Sequence, residues 1–429
     1  MADGRRGAAL DLFRLAAVVL VVANHTSPLA SVSPLWDFWF TRVLARVAVP
    51  FFLMVSGYFL AKDQWRRTGV FLKKTCLLYG AAVLLYLPLN WYNGRYGPAE
   101  WVKKLLLDGT FYHLWYFPGV ILGVLVARGL LRLGPRTALT AAGLLYLVGL
   151  GGDSYYGLTC QLPALEALYG EIFQIFAYTR NGLFFTPLFL LLGAAGVRWS
   201  VRTSAAGLCA AFAAMTAEGL WLHGLQVQRH DSMYMLLPLV MVCLFSLLLG
   251  LNRGERRSCR KLSSLIYVLH PWCIVLVRGA AKVLGLQGLL VESGPGHFAS
   301  VALASFALAF CVQWAAARLA PVKMPPTARA WREVDLAALY RNAQALMEAL
   351  GGCGLMAVLK ADAYGHGAVK AAKALRRSGV RAFAVATAAE GIALRRALVR
   401  GEVLVLGYTP PEQAHVLRRW RLSQAVADE

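Results

Sequence analysis

The sequence predicts a polytopic α-helical membrane region of about ten spans, followed by a smaller α/β region. Composition predicts the first: 58% of the 429 residues are hydrophobic, only 15% are charged, and the mean hydropathy is +0.55. A change of pattern after Pro321 predicts the second, because short apolar runs then alternate with stretches of helical length. We therefore expect a membrane domain over residues 1–320, a linker over 321–330 and an α/β domain over 331–429.

Apolar stretches of spanning length recur through the first 320 residues. The first is interrupted by Arg14 and is followed by further spans, which distinguishes it from a cleavable signal peptide. The ten predicted spans cover residues 8–24, 44–61, 75–92, 114–132, 137–152, 181–197, 204–223, 234–251, 262–280 and 299–319. A chain with this pattern is expected to lie in a lipid bilayer.

The net charge of +22 is explained by membrane topology rather than by nucleic-acid binding. Fifteen lysines and arginines fall in alternate loops at 62–74, 128–136, 198–202 and 253–261, whereas the intervening loops together hold six. Because cytoplasmic loops carry the excess of basic residues, both ends of the membrane region and the α/β region are expected in the cytoplasm. No nucleic-acid partner is expected, since topology and anionic lipids account for these basic groups.

Metal and disulfide sites are not predicted by residue spacing. The eight cysteines are scattered singly, without a C-x-x-C pair, so neither a disulfide framework nor a zinc site is indicated. Glu218 and His223 lie five residues apart in one span, a spacing that does not place them on the same helix face. We therefore expect no metal at this pair.

Strand and helix patterns alternate after the linker, which predicts parallel βα units. Asp335 is the expected N-cap of the first helix, and Thr387 precedes a later one. The predicted helices are 336–350, 368–378, 388–398 and 411–419; the predicted strands are 355–359, 381–385 and 402–406, with a last apolar stretch at 422–426.

Lys360 directly follows the strand at 355–359, within the stretch LMAVLKADAYGHG. In parallel α/β folds, catalytic groups project from the carboxyl ends of the strands. An apolar setting there would disfavour the charged form of the lysine and leave an amine that can attack an aldehyde. The alternative is a solvated loop residue, which is the more common situation of a lysine.

The stretch WREVDLAALYRN (331–342), followed by AVLKADAYGHG (357–367), resembles the start of the alanine racemase family. The resemblance implies a TIM-type barrel that carries pyridoxal 5'-phosphate on Lys360. It makes Lys360 the base that moves the α-proton on one face of the substrate and Tyr364 a contact to the cofactor phosphate. It also implies that His366 belongs to the turn and that the full-length racemase is a homodimer.

Only part of such a barrel is expected in this chain. An eight-fold barrel needs roughly 250 residues, whereas residues 331–429 number 99. The family's opposite-face tyrosine, its arginine facing the pyridine nitrogen and its C-terminal β domain have no counterpart up to Glu429. We therefore expect a partial barrel, truncated from a longer protein, that does not racemise amino acids by itself, because racemisation needs a base on each face of the α-carbon.

Arg14 and His25 lie eleven residues apart on the first span. At 3.6 residues per turn they are about 20° apart around the axis and about 16 Å apart along it, so they share a face. An arginine in the hydrocarbon region usually faces a cavity or a partner. The alternative is that Arg14 snorkels to the inner interface while His25 caps the outer end, and the residues alone leave both readings open.

The Arg14 and His25 pair, VPFFLMVSGYFL (49–60), HLWY (113–116) and SSLIYVLHP (263–271) resemble the acyltransferase-3 family of ten-span membrane enzymes. The resemblance covers about residues 1–320. It implies that His25 is a general base towards an acceptor, and that Arg14 faces the thioester or the phosphates of cytoplasmic acyl-coenzyme A.

Three further residues match positions of these motifs without an assigned role: Ser56, Trp115 and His270. Hydrogen bonding between helices and side-chain packing are the alternative explanation for residues of this kind in a membrane bundle. No chemical step is predicted for them.

The order of the two parts resembles the membrane-bound serine/alanine racemases of bacteria resistant to glycopeptides such as vancomycin. The resemblance implies a racemase in the bacterial plasma membrane that converts L-serine or L-alanine into a D-amino acid for peptidoglycan precursors, with a membrane part that helps to deliver the L-amino acid. Two alternatives stay open. One is a membrane O- or N-acyltransferase that uses acyl-coenzyme A, and the other is an uptake module for L-amino acids without chemistry.

Overall fold

The computed structural model describes residues 6–94, 96–251, 255–256, 259–319 and 332–426. Contacts between Cα atoms divide the chain into two compact units, Met1–Ala320 and Pro321–Glu429. The predicted linker at 321–330 lies outside the described residues, as does Trp331 of the racemase-like stretch.

The first unit is helical, apart from a short antiparallel pairing of strands β1 (Arg6–Gly7) and β2 (Glu255–Arg256). Its described α-helices are α1 (Ala8–Thr26), α2 (Pro34–Phe38), α3 (Ala48–Lys62), α4 (Thr68–Asn93), α5 (Pro98–Lys103), α6 (Tyr116–Leu130), α7 (Pro135–Gly151), α8 (Tyr156–Thr159), α9 (Pro163–Ile175), α10 (Thr186–Ala195), α11 (Val201–Leu225), α12 (Leu237–Gly250), α13 (Arg260–Leu284) and α14 (Gly294–Leu319). Wider π turns lie at Trp39–Val43, Lys104–Asp108 and Gly288–Glu292, and tighter 3-10 turns at Leu44–Val47 and Leu131–Leu133.

Each of the ten predicted spans overlaps a helix, but the helices differ in length. Seven described stretches are long and apolar enough to cross a membrane: Ala9–Thr26, Pro34–Lys62, Thr68–Tyr92, Tyr116–Leu133, Val201–Leu225, Arg260–Leu284 and Gly294–Ala316. The other three predicted spans correspond to α7, α10 and α12, which have 17, 10 and 14 residues. A full crossing needs about 20 residues. Of the ten predicted spans, seven therefore correspond to described stretches with the length and composition to cross a membrane, and three correspond to shorter helices.

Folded loops, rather than further helical turns, precede the short helices α10 and α12. Before α10, the side-chain oxygen of Asn181 accepts hydrogen bonds from the N–H groups of Leu183 (2.8 Å) and Phe184 (3.0 Å). Before α12, the Glu218 carboxylate accepts the N–H of Met235 (2.6 Å). Non-helical backbone is tolerated at membrane depth when its polar groups are satisfied within the protein. The apolar stretches predicted as single spans therefore divide into a loop and a helix.

Helices α3 and α10 approach closely at two glycines. A Cβ atom placed on Gly57 would lie 1.9 Å from the backbone oxygen of Leu190, and one on Gly193 would lie 2.1 Å from that of Met54. Membrane helices associate through such small residues, because lipid tails provide no hydrophobic driving force between helices and close packing must supply the attraction. The two backbones can touch only because neither position carries a side chain.

The second unit contains a four-stranded parallel sheet whose strands follow the order of the chain. These strands are β3 (Met356–Val358), β4 (Ala382–Val385), β5 (Glu402–Val405) and β6 (Ser423–Gln424). The helical segments are α15 (Leu336–Ala349), α16 (Lys360–Tyr364), α17 (Ala368–Ser378), α18 (Ala388–Arg396) and α19 (Ala414–Trp420). The predicted parallel βα units are confirmed, and sequential parallel strands with intervening helices are the arrangement of a partial barrel.

The predicted boundaries in this unit agree with the structure to within a few residues. The last helix begins at Ala414 because Pro411–Gln413 form a 3-10 turn first. Asp335 is the N-cap of α15, where its Oδ1 accepts hydrogen bonds from the N–H groups of Ala337 (2.8 Å) and Ala338 (3.1 Å). The N–H groups of Ala338 and Ala337 favour the charged carboxylate and so lower the pKa of Asp335 from its ordinary value.

Substituting the contact glycines should weaken the first unit. Gly57→Ala and Gly193→Ala should each lower the free energy of unfolding in detergent, because the added methyl group must push apart two touching backbones; overpacking typically costs about 1–3 kcal/mol. Thermal unfolding of the purified protein, followed by circular dichroism, measures the midpoints.

Gly80→Ala is the matched control for this prediction. Gly80 lies within α4, and no atom lies within 4 Å of an added Cβ. This variant should gain helix propensity, by up to about 1 kcal/mol, without a clash. If Gly57→Ala unfolds at the same temperature as Gly80→Ala, the close approach of α3 and α10 contributes nothing to stability.

Candidate functional site

Lys360 lies at the carboxyl end of β3, where the sequence predicts it. The preceding residue, Leu359, donates its N–H to the carbonyl oxygen of Ala384 (2.7 Å), which holds the backbone against β4 up to the lysine. The Lys360 side chain is exposed, and it makes no hydrogen bond or ion pair with the described residues. Among the described residues Lys360 therefore has the solvated setting of the alternative rather than the expected apolar one.

The residues that follow Lys360 form a left-handed turn. The φ angles of residues 361–364 are 54°, 55°, 57° and 52°, a region that residues other than glycine occupy at a cost of roughly 1–2 kcal/mol each. Asp362 closes the turn, since its carbonyl accepts the N–H of Gly367 (2.9 Å) and its Oδ1 accepts that of Ala368 (2.7 Å). Strained backbone therefore lies directly beside the lysine, as is common at functional sites.

Glu390, in the first turn of α18, ties this turn to the end of β4. Its Oε1 accepts the N–H of Ala361 (2.8 Å), and its Oε2 accepts that of Ala386 (2.8 Å). The N–H of Glu390 in turn donates to Oγ1 of Thr387 (3.3 Å), which completes a capping box. Sequence reasoning finds Thr387 but misses Glu390, although the T-x-x-E spacing that marks a capping box is present.

Tyr364 and His366 occupy the same turn. The Tyr364 side chain is 62% exposed, and its hydroxyl makes no hydrogen bond with the described residues. Nδ1 of His366 lies 2.9 Å from the carbonyl oxygen of Ala363, so the imidazole belongs to the turn, as the resemblance implies. Gly365 lies between them with a φ of 86°, a left-handed conformation that glycine adopts without a steric penalty.

The side chains of this turn fit pyridoxal phosphate. The cofactor presents an aldehyde and a phosphate group. Lys360 offers an amine that is not engaged by the described residues, and Tyr364 offers a free hydroxyl donor four positions on. Because Glu390 and Asp362 hold the turn in place, both groups are presented from a fixed backbone.

A cavity of about 250 Å³ lies in the first unit, where α1 ends. His25, in the last turn of α1, lines this cavity, and its ring centroid is 4.8 Å from that of Tyr112 and 5.2 Å from that of His270. The lining residues are Val21, Asn24, His25, Arg42, Ala45, Arg46, Val49, Pro50, Tyr112, His113, Trp115, Arg180, Phe185, Ser232 and Tyr267. His25 therefore borders a space that can hold a small ligand.

Two further histidines from the predicted motifs lie beside His25. The ring centroids of His113 and His270 are 5.3 Å apart. His113 is 1% exposed, and neither of its ring nitrogens has a hydrogen-bond partner, whereas Nδ1 of His270 lies 2.8 Å from the carbonyl oxygen of Tyr267. No group of three His, Cys, Asp or Glu side chains within the described residues is placed to hold a metal ion. The cluster is therefore a set of ring contacts.

Arg14 does not line the cavity. Its Nη1 lies 2.9 Å from Oδ1 of Asp11 on the same helix, and both side chains are almost fully buried. The Arg14 guanidinium is therefore buried within the helical unit and paired with a carboxylate one turn earlier on α1. Sequence reasoning misses Asp11, although a carboxylate three residues before an arginine is a recognisable helix pair.

Trp115 and Ser56 have different environments. Trp115 lines the cavity, and the Arg180 guanidinium lies 5.0 Å from the centroid of its ring. Ser56 Oγ instead donates a hydrogen bond to the carbonyl oxygen of Phe52 (2.8 Å), one turn earlier in its own helix. Trp115 thus lines the same cavity as His25, whereas Ser56 lies outside the cavity lining.

Three arginines of the cavity lining are not identified from the sequence: Arg42, Arg46 and Arg180. Arg42 and Arg46 lie in the π and 3-10 turns before α3, and Arg180 lies in the loop before α10. Sequence patterns cannot show that positions more than 130 residues apart meet. One available signal is that Arg42 and Arg180 are each the sole basic residue of a predicted outer loop.

Removing the Glu390 carboxylate should release the turn that presents Lys360. Glu390→Ala leaves the N–H groups of Ala361 and Ala386 without an acceptor, and hydrogen bonds to charged groups contribute about 1.5–3 kcal/mol each. We expect faster amide hydrogen exchange at residues 361–364 by mass spectrometry. Glu412→Ala, which removes an exposed carboxylate from the 3-10 turn before α19, should leave this exchange unchanged. Unaltered exchange in Glu390→Ala would show that Glu390 does not hold the turn.

Comparison with known proteins identifies two families along the chain. Residues 8–314 match the acyltransferase domain family, and residues 334–429 match the family described as alanine racemase, N-terminal domain. An alanine racemase of Nostoc sp. is 46% identical over 100 residues, which make up 23% of this chain and 26% of that protein.

Two relatives match nearly the whole chain. An amino-acid racemase of Enterococcus faecalis is 41% identical over 439 residues, with 98% of this chain and 61% of the relative covered. A serine/alanine racemase of Enterococcus gallinarum is 36% identical over 440 residues, with 98% of this chain and 62% of the relative covered. The chain therefore spans about three fifths of the length of these relatives. It belongs to the acyltransferase-3 family of membrane proteins, in a form that joins this domain to the N-terminal domain of an alanine racemase.

Proposed function

We propose that the intact protein is a membrane-bound, pyridoxal phosphate-dependent racemase of serine or alanine. The observation that carries the proposal is the position of Lys360 at the carboxyl end of β3, with its amine presented by a turn that Glu390 ties to the sheet. The relatives that match almost the whole chain are named racemases, which favours this function over a membrane acyltransferase that uses acyl-coenzyme A and over an uptake module.

Each residue of the turn has a distinct part in the proposed reaction. Pyridoxal phosphate supplies the electron sink that makes the α-proton of an amino acid acidic. Lys360 would hold the cofactor through its aldehyde until the amino group of the substrate replaces it there, and the released Lys360 amine would then move the α-proton on one face of the substrate. The Tyr364 hydroxyl would donate to the cofactor phosphate. Glu390 positions Lys360 by fixing the Ala361 backbone. Inversion also needs a base on the opposite face, and we assign no described residue to that role.

The proposal also includes the domain boundaries along the chain. We place a membrane domain at residues 1–320, a linker at 321–330 and a racemase domain at 331–429, in the bacterial plasma membrane. The matched ranges 8–314 and 334–429 support these boundaries. His25 is proposed as a proton acceptor within the cavity of the membrane domain, supported by its contact with His270. A homodimeric full-length protein is a further prediction.

The orientation of the membrane domain follows from the loop charges. With the basic loops in the cytoplasm, residue 320 and the racemase domain lie on the cytoplasmic side, where pyridoxal phosphate is available. At Ala320, a fused reporter enzyme that works only in the cytoplasm should be active, and one that works only outside the cell should be inactive. At Asn93 the two reporters should give the opposite result. The reverse pattern would overturn the orientation.

Covalent trapping tests the proposed function at Lys360. Borohydride reduction of the intact, cofactor-loaded protein should attach the cofactor irreversibly to Lys360, because reduction fixes the bond between the amine and the aldehyde carbon. Peptide mapping by mass spectrometry locates the adduct. Lys360→Ala should abolish it, whereas Lys373→Ala, at an exposed position in α17, should leave it intact. An adduct at another lysine, or none in the parent protein, contradicts the assignment.

A further inference from the structure

We propose that the cavity at the end of α1 binds a small organic carboxylate, and that Arg46 and Arg180 grip the carboxylate group with support from Arg42. This arginine cavity is a binding site of the membrane domain, and the inference does not depend on racemisation at Lys360. It rests on an excess of positive charge, on unpaired hydrogen-bond donors and on the size of the cavity.

The three arginines are only partly compensated, by the buried Asp153, which attracts Arg46 and Arg180 without forming an ion pair with them. None of them lies within 4 Å of a carboxylate oxygen of the described residues, and the cavity lining contains no aspartate or glutamate. Three like charges gathered in a half-buried space raise the free energy of the ligand-free protein, since a charge removed from water needs a partner. An anionic ligand supplies that partner.

The nearby acids are engaged elsewhere. Asp153 is 1% exposed, and its Oδ1 accepts the N–H groups of Ser232 (2.7 Å) and Met233 (3.0 Å). Glu218 accepts the N–H of Met235 (2.6 Å) and the hydroxyl of Tyr155 (2.8 Å). Both carboxylates thus organise the loops around the cavity, and neither lines it. Oδ2 of Asp153 has no hydrogen-bond partner, so this carboxylate offsets part of the arginine charge through space. The Nε–H groups of Arg46 and Arg180 remain available to a ligand.

Several donors at the cavity are left without acceptors. Nε of Arg46 and Nε of Arg180 are buried and have no hydrogen-bond partner, and neither does the one N–H group that a neutral His113 ring carries. Arg180 is held by Nη1, which donates to Oγ of Ser232 (3.2 Å), and by the ring of Trp115 at 5.0 Å. A guanidinium presents parallel N–H groups that match the two oxygens of a carboxylate. The geometry therefore favours a planar carboxylate over a single-point anion.

The size of the cavity limits the ligand. A volume of about 250 Å³ greatly exceeds what one water needs, yet it lies just below the range of about 300–1,000 Å³ that is typical of ligand pockets. The cavity lining also includes the apolar side chains of Val21, Val49 and Phe185. These features fit a small carboxylate with a short side chain.

The distribution of basic residues supports a functional role for these arginines. The predicted outer loops hold six lysines and arginines against fifteen in the basic loops, as expected when basic residues are disfavoured outside. Two of those six, Arg42 and Arg180, line this one cavity. Topology alone gives no reason for arginines to gather there.

Calorimetric titration of the purified Lys360→Ala protein in detergent, without pyridoxal phosphate, tests the proposal apart from the racemase lysine. The probes are sodium acetate, L-alanine, L-alaninamide and inorganic phosphate. We expect acetate and L-alanine to bind and L-alaninamide, which lacks the carboxylate, not to bind. Arg46→Gln and Arg180→Gln should each weaken L-alanine binding at least tenfold. Arg229→Gln should not, because Arg229 lies in the same set of loops but stacks on Phe173, with its guanidinium 3.5 Å from the ring centroid, outside the cavity lining.

A second measurement separates binding from folding. In the absence of ligand, Arg46→Gln should raise the thermal midpoint, because it removes one of three crowded positive charges, and Arg46→Lys should keep the charge but lose the paired N–H groups and bind weakly. Equal binding of L-alanine and L-alaninamide, binding of phosphate without L-alanine, or unchanged affinity in both glutamine variants would overturn the proposal. A lower ligand-free midpoint in Arg46→Gln would equally count against it, since the arginine would then be structural.

Discussion

The close contact between α3 and α10 is the constraint on which the first unit depends. Both helices begin beside the arginine cavity, since Pro50 and Phe185 line it near their first turns, and they meet again at Gly57 and Gly193. With side chains at the glycine positions, the helix starts would lie further apart. The backbone contact at Gly57 and Gly193 therefore helps to set the distance between Arg46, in the turn before α3, and Arg180, in the loop before α10.

The two units of the chain place charge in different ways. In the second unit, the Lys360 amine stands exposed, and the turn beneath it is held by Glu390 and Asp362 through hydrogen bonds to backbone N–H groups. In the first unit, Asp153 likewise accepts hydrogen bonds from the backbone of a loop. Arg42, Arg46 and Arg180 form no ion pair with the described carboxylates and are half-buried. Water stabilises the charge of the exposed lysine. The half-buried arginines have less water around them, and in our proposal an anionic ligand stabilises their charge.

Local patterns allowed much of the second unit to be predicted. The period of the apolar residues and the caps at Asp335 and Thr387 place the helices and strands, and Lys360 follows its strand as expected. The left-handed turn could not be predicted, because Ala and Tyr carry no signal for positive φ and a single Asp carries only a weak one. In the first unit, hydropathy found the apolar stretches but not the loops before α10 and α12. The arginine cavity depends on contacts between segments that are distant in the sequence, and no local pattern predicts such contacts. The pair of Asp11 and Arg14 could have been predicted, because the two residues are three positions apart on one helix.

The left-handed turn after Lys360 also bears on chain entropy. Ordering a flexible residue costs roughly 1–2 kcal/mol in backbone entropy, and a ligand that orders a loop loses that amount from its affinity. Residues 361–364 are already confined, because their backbone groups are bonded to Glu390, Gly365 and Gly367. The turn is therefore ordered before a ligand binds. The loss of backbone entropy at these residues occurs when the protein folds and does not reduce the affinity of the ligand.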